Sequence, residues 1–168
     1  IKICGINNIE SLNIVLKFRV FAIGFIFFNK SPRNIEPIDA IKLAEQIPSH
    51  IKKVGVFVNE KVEKVKYICK QVKLDFIQLH GNEDQVYINN FSIPVIKAIR
   101  VKNDFTIQNL NKYKVHSFLL DTFQPGIFGG TGEAFNWDLI QHINSPTPII
   151  LSGGINPENI IKEIDTVK

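Results

Sequence analysis

The segment Phe76-Ile77-Gln78-Leu79-His80-Gly81 sets Ile77 and Leu79 against Gln78 and His80 in strict alternation. Two other segments repeat the device. In Ile1-Lys2-Ile3-Cys4, Ile1 and Ile3 alternate with Lys2 and Cys4. In Ser117-Phe118-Leu119-Leu120-Asp121, Phe118 and Leu120 alternate with Ser117, Leu119 and Asp121. A period of two is that of a strand, with successive side chains on opposite faces. In each case one face is apolar, and the other becomes polar toward the C-terminal end.

Working outward, short apolar runs occur at residues 1–4, 22–28, 54–58, 76–79, 95–99, 118–120 and 149–151. Helix-period segments occur between and after them, at 9–17, 38–47, 62–72, 84–90, 105–111, 137–142 and 157–164. Seven strands, each followed by a helix, give the βα rhythm of a parallel sheet. Asn59 before Glu60, and Asn82 before Glu83 and Asp84, suit helix N-termini. Pro157 after Asn156 suits a first helical position. Two architectures remain, an open doubly wound sheet or a (β/α)8 barrel. Open sheets bind ligands near one switch point, whereas barrels gather polar groups from strand ends all round the ring. Polar groups at the ends of strands 1, 4 and 6 favour the barrel. One domain over residues 1–168 is expected. An eighth βα unit, about 25–30 residues in a barrel of ordinary size, is absent from the 168 residues and is expected in the functional protein. The chain opens at Ile1 with no methionine, and its start is expected to be clipped or left unobserved.

Composition narrows the function. With 45% hydrophobic and 21% charged residues, the chain is an ordinary globular one, neither disordered nor a disulfide scaffold. Cys4 and Cys69 match no metal or redox spacing, so a reducing compartment, the cytoplasm, is expected. No apolar run reaches the roughly 20 residues of a membrane span, and there is no signal peptide pattern. The net charge of +4 is scattered rather than striped, which argues against nucleic acid and suits a small anionic ligand. Only three of the 20 basic residues are arginine (Arg19, Arg33 and Arg100). Each is a candidate for work that needs a planar fork.

Several residues carry a bland reading beside a chemical one. Gly129-Gly130-Thr131-Gly132 after strand 6 and Ser152-Gly153-Gly154 after strand 7 are tight turns or a phosphate cradle. Placed together in late barrel loops, they favour phosphate. Cys4 is a small core hydrophobe or a general base at the strand tip. Asp121 caps the next loop, or is a carboxylic acid kept protonated by its surroundings. Strands 1 and 6 lie nearly opposite in an eight-strand ring, so a base and an acid there would reach one substrate from two sides. Arg33, in Ser31-Pro32-Arg33, is a surface arginine or a carboxylate grip. His80 is a ligand contact or a satisfied histidine beside Gln78. Lys97, in mid-strand, needs a partner or an outlet to the barrel mouth. Cys69 reads as a packing residue. No His/Asp/Glu cluster suggests a metal site.

Taken in order, these segments resemble the phosphoribosylanthranilate isomerase family. The resemblance rests on Lys2-Ile3-Cys4-Gly5-Ile6, residues 24–28, Ser31-Pro32-Arg33, Val54-Gly55-Val56-Phe57-Val58-Asn59, Gln78-Leu79-His80-Gly81 with Glu83, Leu120-Asp121-Thr122, Gly129-Gly130-Thr131-Gly132, Phe135 with Trp137, and residues 151–159. It implies a ribulose-phosphate-binding (β/α)8 barrel. It also implies an Amadori rearrangement of N-(5-phosphoribosyl)anthranilate, without metal or cofactor, by a monomer or homodimer in tryptophan biosynthesis. By the same resemblance Cys4 is the general base at ribose C2, and Asp121 the general acid at the ring oxygen. Arg33 holds the anthranilate carboxylate, Gln78 and His80 contact the substrate, and Gly130, Gly153 and Gly154 cradle the phosphate. The glycine-rich stretch 123–133 is expected to close as a lid over the reactive imine. Glu133, Asn136 and Ser152 stand where the family commonly has Lys, Asp and Ala. Another phosphosugar barrel enzyme, or a phosphate-binding barrel without activity, is the rival; neither needs Cys4 with Asp121.

Overall fold

The computed structural model describes residues 1–102, 106, 108–122, 139 and 145–160. They fall into two compact units, residues 1–95 and 96–168. All seven expected strands are present: β1 (Lys2–Cys4), β2 (Ala22–Ile26), β3 (Lys52–Phe57), β4 (Phe76–Leu79), β5 (Val95–Val101), β6 (Ser117–Thr122) and β7 (Ile149–Leu151). In the first unit β1, β2, β3 and β4 pair in that order, each pair parallel. In the second, β5, β6 and β7 do the same.

The register divides each sheet into two faces. In the first unit Ile23, Phe25, Phe57, Ile77 and Leu79 share one face, and all are fully buried. Each such side chain contributes about 1.5–3 kcal/mol by leaving water. Leu74, just after helix α3 (Val62–Val72), lies on this face against Gly55. The other face carries Cys4 of β1, Gly24 of β2, Val54 and Val56 of β3 and Gln78 of β4. In the second unit Ile99, Val101, Phe118, Leu120, Ile149 and Leu151 pack with Leu110 of helix α5 (Gln108–Asn111). Ala98, Arg100, Leu119, Asp121 and Ile150 make up the opposite face. The alternation read from residues 76–81 and 117–121 therefore follows the two faces of each sheet.

Helix α1 (Ile9–Val15) is capped by Asn8, whose Oδ1 accepts from the Ser11 amide at 2.8 Å. Helix α2 (Pro37–Ala44) begins on a proline with its φ already helical. Helix α3 ends at Lys73, in the left-handed conformation at φ 54°. Two expected caps are displaced. The residue before α3 is Lys61, without a side-chain cap, and helix α4 (Gln85–Ile88) is capped by Asp84, whose Oδ1 accepts from the Tyr87 amide at 2.8 Å. Asn59 and Asn82 instead join the loops after β3 and β4. Asn59 takes φ 49°, and its Oδ1 accepts from the Asn82 amide at 2.7 Å. Asn156 behaves as expected before Pro157: its Oδ1 accepts from the Glu158 and Asn159 amides, and its carbonyl from the Ile160 amide. The expected helix at 137–142 apart from residue 139, most of the start of that at 105–111 and the end of that at 157–164 lie outside the described residues.

Candidate active site

Cys4 ends β1 and is neither deeply buried nor disulfide-bonded. Its thiol lies over Gly24, where a Cβ would come within 2.7 Å of Sγ. Glycine at 24 is therefore a seat for the sulfur, a role that the sequence reading did not assign. The Gly24 carbonyl accepts from the Gly5 amide at 2.8 Å and the Ile6 amide at 3.2 Å, which turns the chain away after the cysteine. Gly5 sits at φ 89°, open to glycine and costly to any residue with a Cβ.

Arg33 follows β2 in a loop tied back to that strand. Ile35 donates to the Ile26 carbonyl at 3.0 Å, and Ser31 Oγ accepts from the Arg33 amide at 3.2 Å. The guanidinium crosses Gly5, and its Nη1 donates to the Cys4 carbonyl at 3.0 Å. The expected carboxylate grip and the expected base thus occupy one corner of the first unit.

Gln78 and His80 lie at the end of β4, 2% and 7% exposed. Gln78 Nε2 and His80 Nδ1 are 3.0 Å apart, within hydrogen-bond distance. Gln78 Oε1 is buried without a hydrogen-bond partner among the described residues. A buried amide oxygen left unmatched is costly, and a ligand donor would offset that cost. Behind this pair the buried Glu83 carboxylate accepts from the Asn59 amide at 2.7 Å and the Gly81 amide at 2.9 Å. This clamp between the β3 and β4 loops was also missed. Glu83 and Asn59 stand 24 residues apart, and no local pattern joins them.

In the second unit Asp121 is 4% exposed near the end of β6, and its Oδ1 accepts from the Thr122 amide at 3.0 Å. Gly153, at φ 83°, presses on it: a Cβ there would meet Thr122 Oγ1 and stand 2.9 Å from Asp121 Oδ1. Gly154, at φ 66°, extends the turn, and its carbonyl accepts from Asn159 Nδ2 at 2.8 Å. Asp121, Gly153 and Gly154 are thereby brought together. Arg100 is the direct β5 neighbour of Asp121. Lys97 pairs in register with Phe118, so it lies on the apolar face, its Nζ 5.9 Å from the Tyr113 ring centre. It finds a partner there rather than an outlet to the polar face. Gly130, the rest of residues 129–132, the expected lid at 123–133 and the residues Glu133, Phe135, Asn136 and Trp137 lie outside the described residues.

Cys69, buried on α3, has its thiol pushed up to about 12 by burial. It is inert packing, as its sequence context suggests. Tyr87 is also raised to about 12, by burial and then by the nearby Glu83 and Glu60 carboxylates. Its hydroxyl donates to the Glu60 carbonyl at 2.6 Å. No metal-holding cluster of His, Cys, Asp or Glu occurs among the described residues.

Parallel βα units with a thiol and an arginine at strand ends of the first unit, and a carboxyl and glycine turns at strand ends of the second, define a class: α/β enzymes. The particular family is also shown. The family model for N-(5'-phosphoribosyl)anthranilate isomerase matches residues 1–168, and the chain belongs to that family. An isomerase of that name from Caldanaerobacter subterraneus subsp. tengcongensis is 40% identical over 169 residues, covering 100% of this chain and 83% of the relative. The crystal structure of the Thermotoga maritima phosphoribosyl anthranilate isomerase superposes with a TM-score of 0.88 at 37% identity, covering 99% of this chain and 82% of that one. A phosphoribosyl anthranilate isomerase in complex with reduced 1-(o-carboxyphenylamino)-1-deoxyribulose 5-phosphate gives 0.84 at 36% identity, covering 99% and 81%.

Proposed function

We propose that this chain catalyses the Amadori rearrangement of N-(5-phosphoribosyl)anthranilate to 1-(2-carboxyphenylamino)-1-deoxyribulose 5-phosphate, a step of tryptophan biosynthesis. The observation that carries the assignment of roles is Cys4, half-buried at the tip of β1, with its thiol seated on Gly24 and its carbonyl bonded to the Arg33 guanidinium. A packing cysteine would be buried, as Cys69 is.

Asp121, in its protonated form, gives a proton to the furanose oxygen as the bond from C1 to that oxygen breaks. The aryl nitrogen lone pair forms the C1=N bond and leaves an iminium cation. That cation acidifies C2–H, and the Cys4 thiolate takes the proton while the C–H electrons form C1=C2. The resulting enolamine loses its hydroxyl proton and gains one at C1, giving the ketone. Exchange with solvent resets both groups. Only protons move, so the chemistry calls for no cofactor or metal. Arg33 holds the anthranilate carboxylate. Gln78 Oε1 accepts from a sugar hydroxyl beside His80, and Gly153, Gly154 and Gly130 take the phosphate. The βα rhythm supports reading the architecture as a (β/α)8 barrel of the ribulose-phosphate-binding type. Among the described residues no helix is long and apolar enough to cross a membrane, and two free thiols suit the cytoplasm.

The test is an isomerase assay on freshly generated substrate with Cys4→Ser and Asp121→Asn. Each acid–base step is worth about 10²–10⁴-fold, so each variant should lose kcat by that order with its fold intact. Ligand binding without turnover by the unmodified chain would instead support an inactive phosphate-binding barrel.

A further inference from the structure

The Arg33 guanidinium does not stand alone in its loop waiting for a ligand. Its Nη1 donates to the Cys4 carbonyl at 3.0 Å. Its body lies on Gly5, so closely that a Cβ at position 5 would fall 2.8 Å from Cδ, 3.0 Å from Nη1 and 3.1 Å from Nε. The loop behind it is fixed at three points. Ser31 Oγ accepts from the Arg33 amide, the Ser31 carbonyl from the Asn34 amide at 3.1 Å, and the Ile26 carbonyl from the Ile35 amide at 3.0 Å. Cys4 is held from its other side by Gly24, whose carbonyl anchors the next two amides.

We infer that Arg33 is a positioning residue for Cys4 as well as a ligand for the substrate carboxylate. This rests on the reading of Cys4 as the base. A guanidinium has five donors in a rigid fork. One is committed to the Cys4 carbonyl, and the exposed side chain keeps others for a carboxylate. Charge-assisted bonds of this kind are about twice as strong as neutral ones. The carboxylate end of the substrate and the peptide bearing the thiol are thus fastened to one planar group. Binding the carboxylate sets the distance from C2 to the sulfur, and displacing the guanidinium moves the sulfur whether or not a carboxylate is present. A lysine supplies one mobile point charge and cannot make both contacts in a fixed plane.

The experiment uses two substrates. One is the natural compound; the other carries aniline in place of anthranilate and so lacks the carboxylate. Wild type, Arg33→Ala, Arg33→Lys and Cys4→Ser are compared, with circular dichroism confirming folding. The proposal expects Arg33→Ala to lose kcat at least tenfold on the carboxylate-free substrate, and on the natural substrate at saturation. Arg33→Lys should recover part of KM on the natural substrate but little kcat. A residue that only binds the carboxylate raises KM and leaves kcat unchanged. Equal kcat for wild type and Arg33→Ala would therefore overturn the proposal. If the wild type does not turn over the carboxylate-free compound, kcat at saturating natural substrate decides alone. Undiminished turnover by Cys4→Ser would refute the base assignment instead, a result distinct from any outcome at Arg33.

Discussion

Replacing Gly24 by alanine drives a methyl group against the Cys4 sulfur. The new Cβ would lie 2.7 Å from Cys4 Sγ, 3.3 Å from its Cα and 3.4 Å from its Cβ. An ordinary carbon–sulfur contact is near 3.7 Å, on the order of the optimum for carbon pairs, so the thiol must retreat by about 1 Å. A shift of that size in a reacting group costs about 10²-fold in rate. The stability change should be small. Overpacking costs about 1–3 kcal/mol, while alanine in a strand interior recovers about 0.5–1 kcal/mol relative to glycine. Gly24→Ala should therefore be folded, less stable by at most about 2.5 kcal/mol, and slowed about 100-fold in kcat. Loss of anthranilate fluorescence reads the rate, and urea unfolding reads the stability. A folded Gly24→Ala protein with wild-type kcat would show that the sulfur's seat on Gly24 has no part in catalysis.

Gly153→Ala combines a left-handed φ of 83° with a collision against Thr122 Oγ1 and Asp121 Oδ1. The conformational penalty alone is about 1–2 kcal/mol, and urea unfolding with parallel kinetics should show losses of both stability and kcat. Glu83→Gln keeps the shape but removes the charge that accepts from the Asn59 and Gly81 amides; about 1.5–3 kcal/mol of stability should go with each charged bond lost, measured by urea unfolding. Iodoacetamide should label Cys4 and spare Cys69 in the folded protein, as mass spectrometry of the two peptides would show. Cys69 also predicts a pH dependence. Burial raises its thiol to about 12 when folded, so above the ordinary thiol range near 8.5 the unfolded chain releases a proton that the folded chain keeps. The unfolded state then binds fewer protons, and stability falls as pH rises from about 8.5 toward 12. The decline should be shallower in Cys69→Ala, read as Tm between pH 8 and 11.

The sequence was most legible where burial imposes a period. Ile77 and Leu79 against Gln78 and His80 announced both faces of β4, because successive side chains of a strand point to opposite faces. The positions of Cys4 and Asp121 were legible for the same reason: each stands near the end of an apolar run, on the face opposite its apolar neighbours. What stayed hidden depends on partners distant in the chain. Asn59 looked like a helix cap because caps are recognised locally. Its actual role is set by the loop holding Asn82 and Glu83, brought to it by the pairing of β3 with β4. Asn8, the real cap of α1, passed unread because nothing in the local sequence separates it from Asn7. Gly24 offered no signal, since its function is the space it leaves for a sulfur on the next strand.

The central claim is that the Cys4 thiolate removes the proton from ribose C2. The most direct measurement is single-turnover conversion of substrate deuterated at C2, with wild type beside Cys4→Ser. The account predicts a primary isotope effect in the wild type and a loss of at least about 100-fold in Cys4→Ser. Conversion by folded Cys4→Ser at the wild-type rate, with the label still lost from C2, would contradict it.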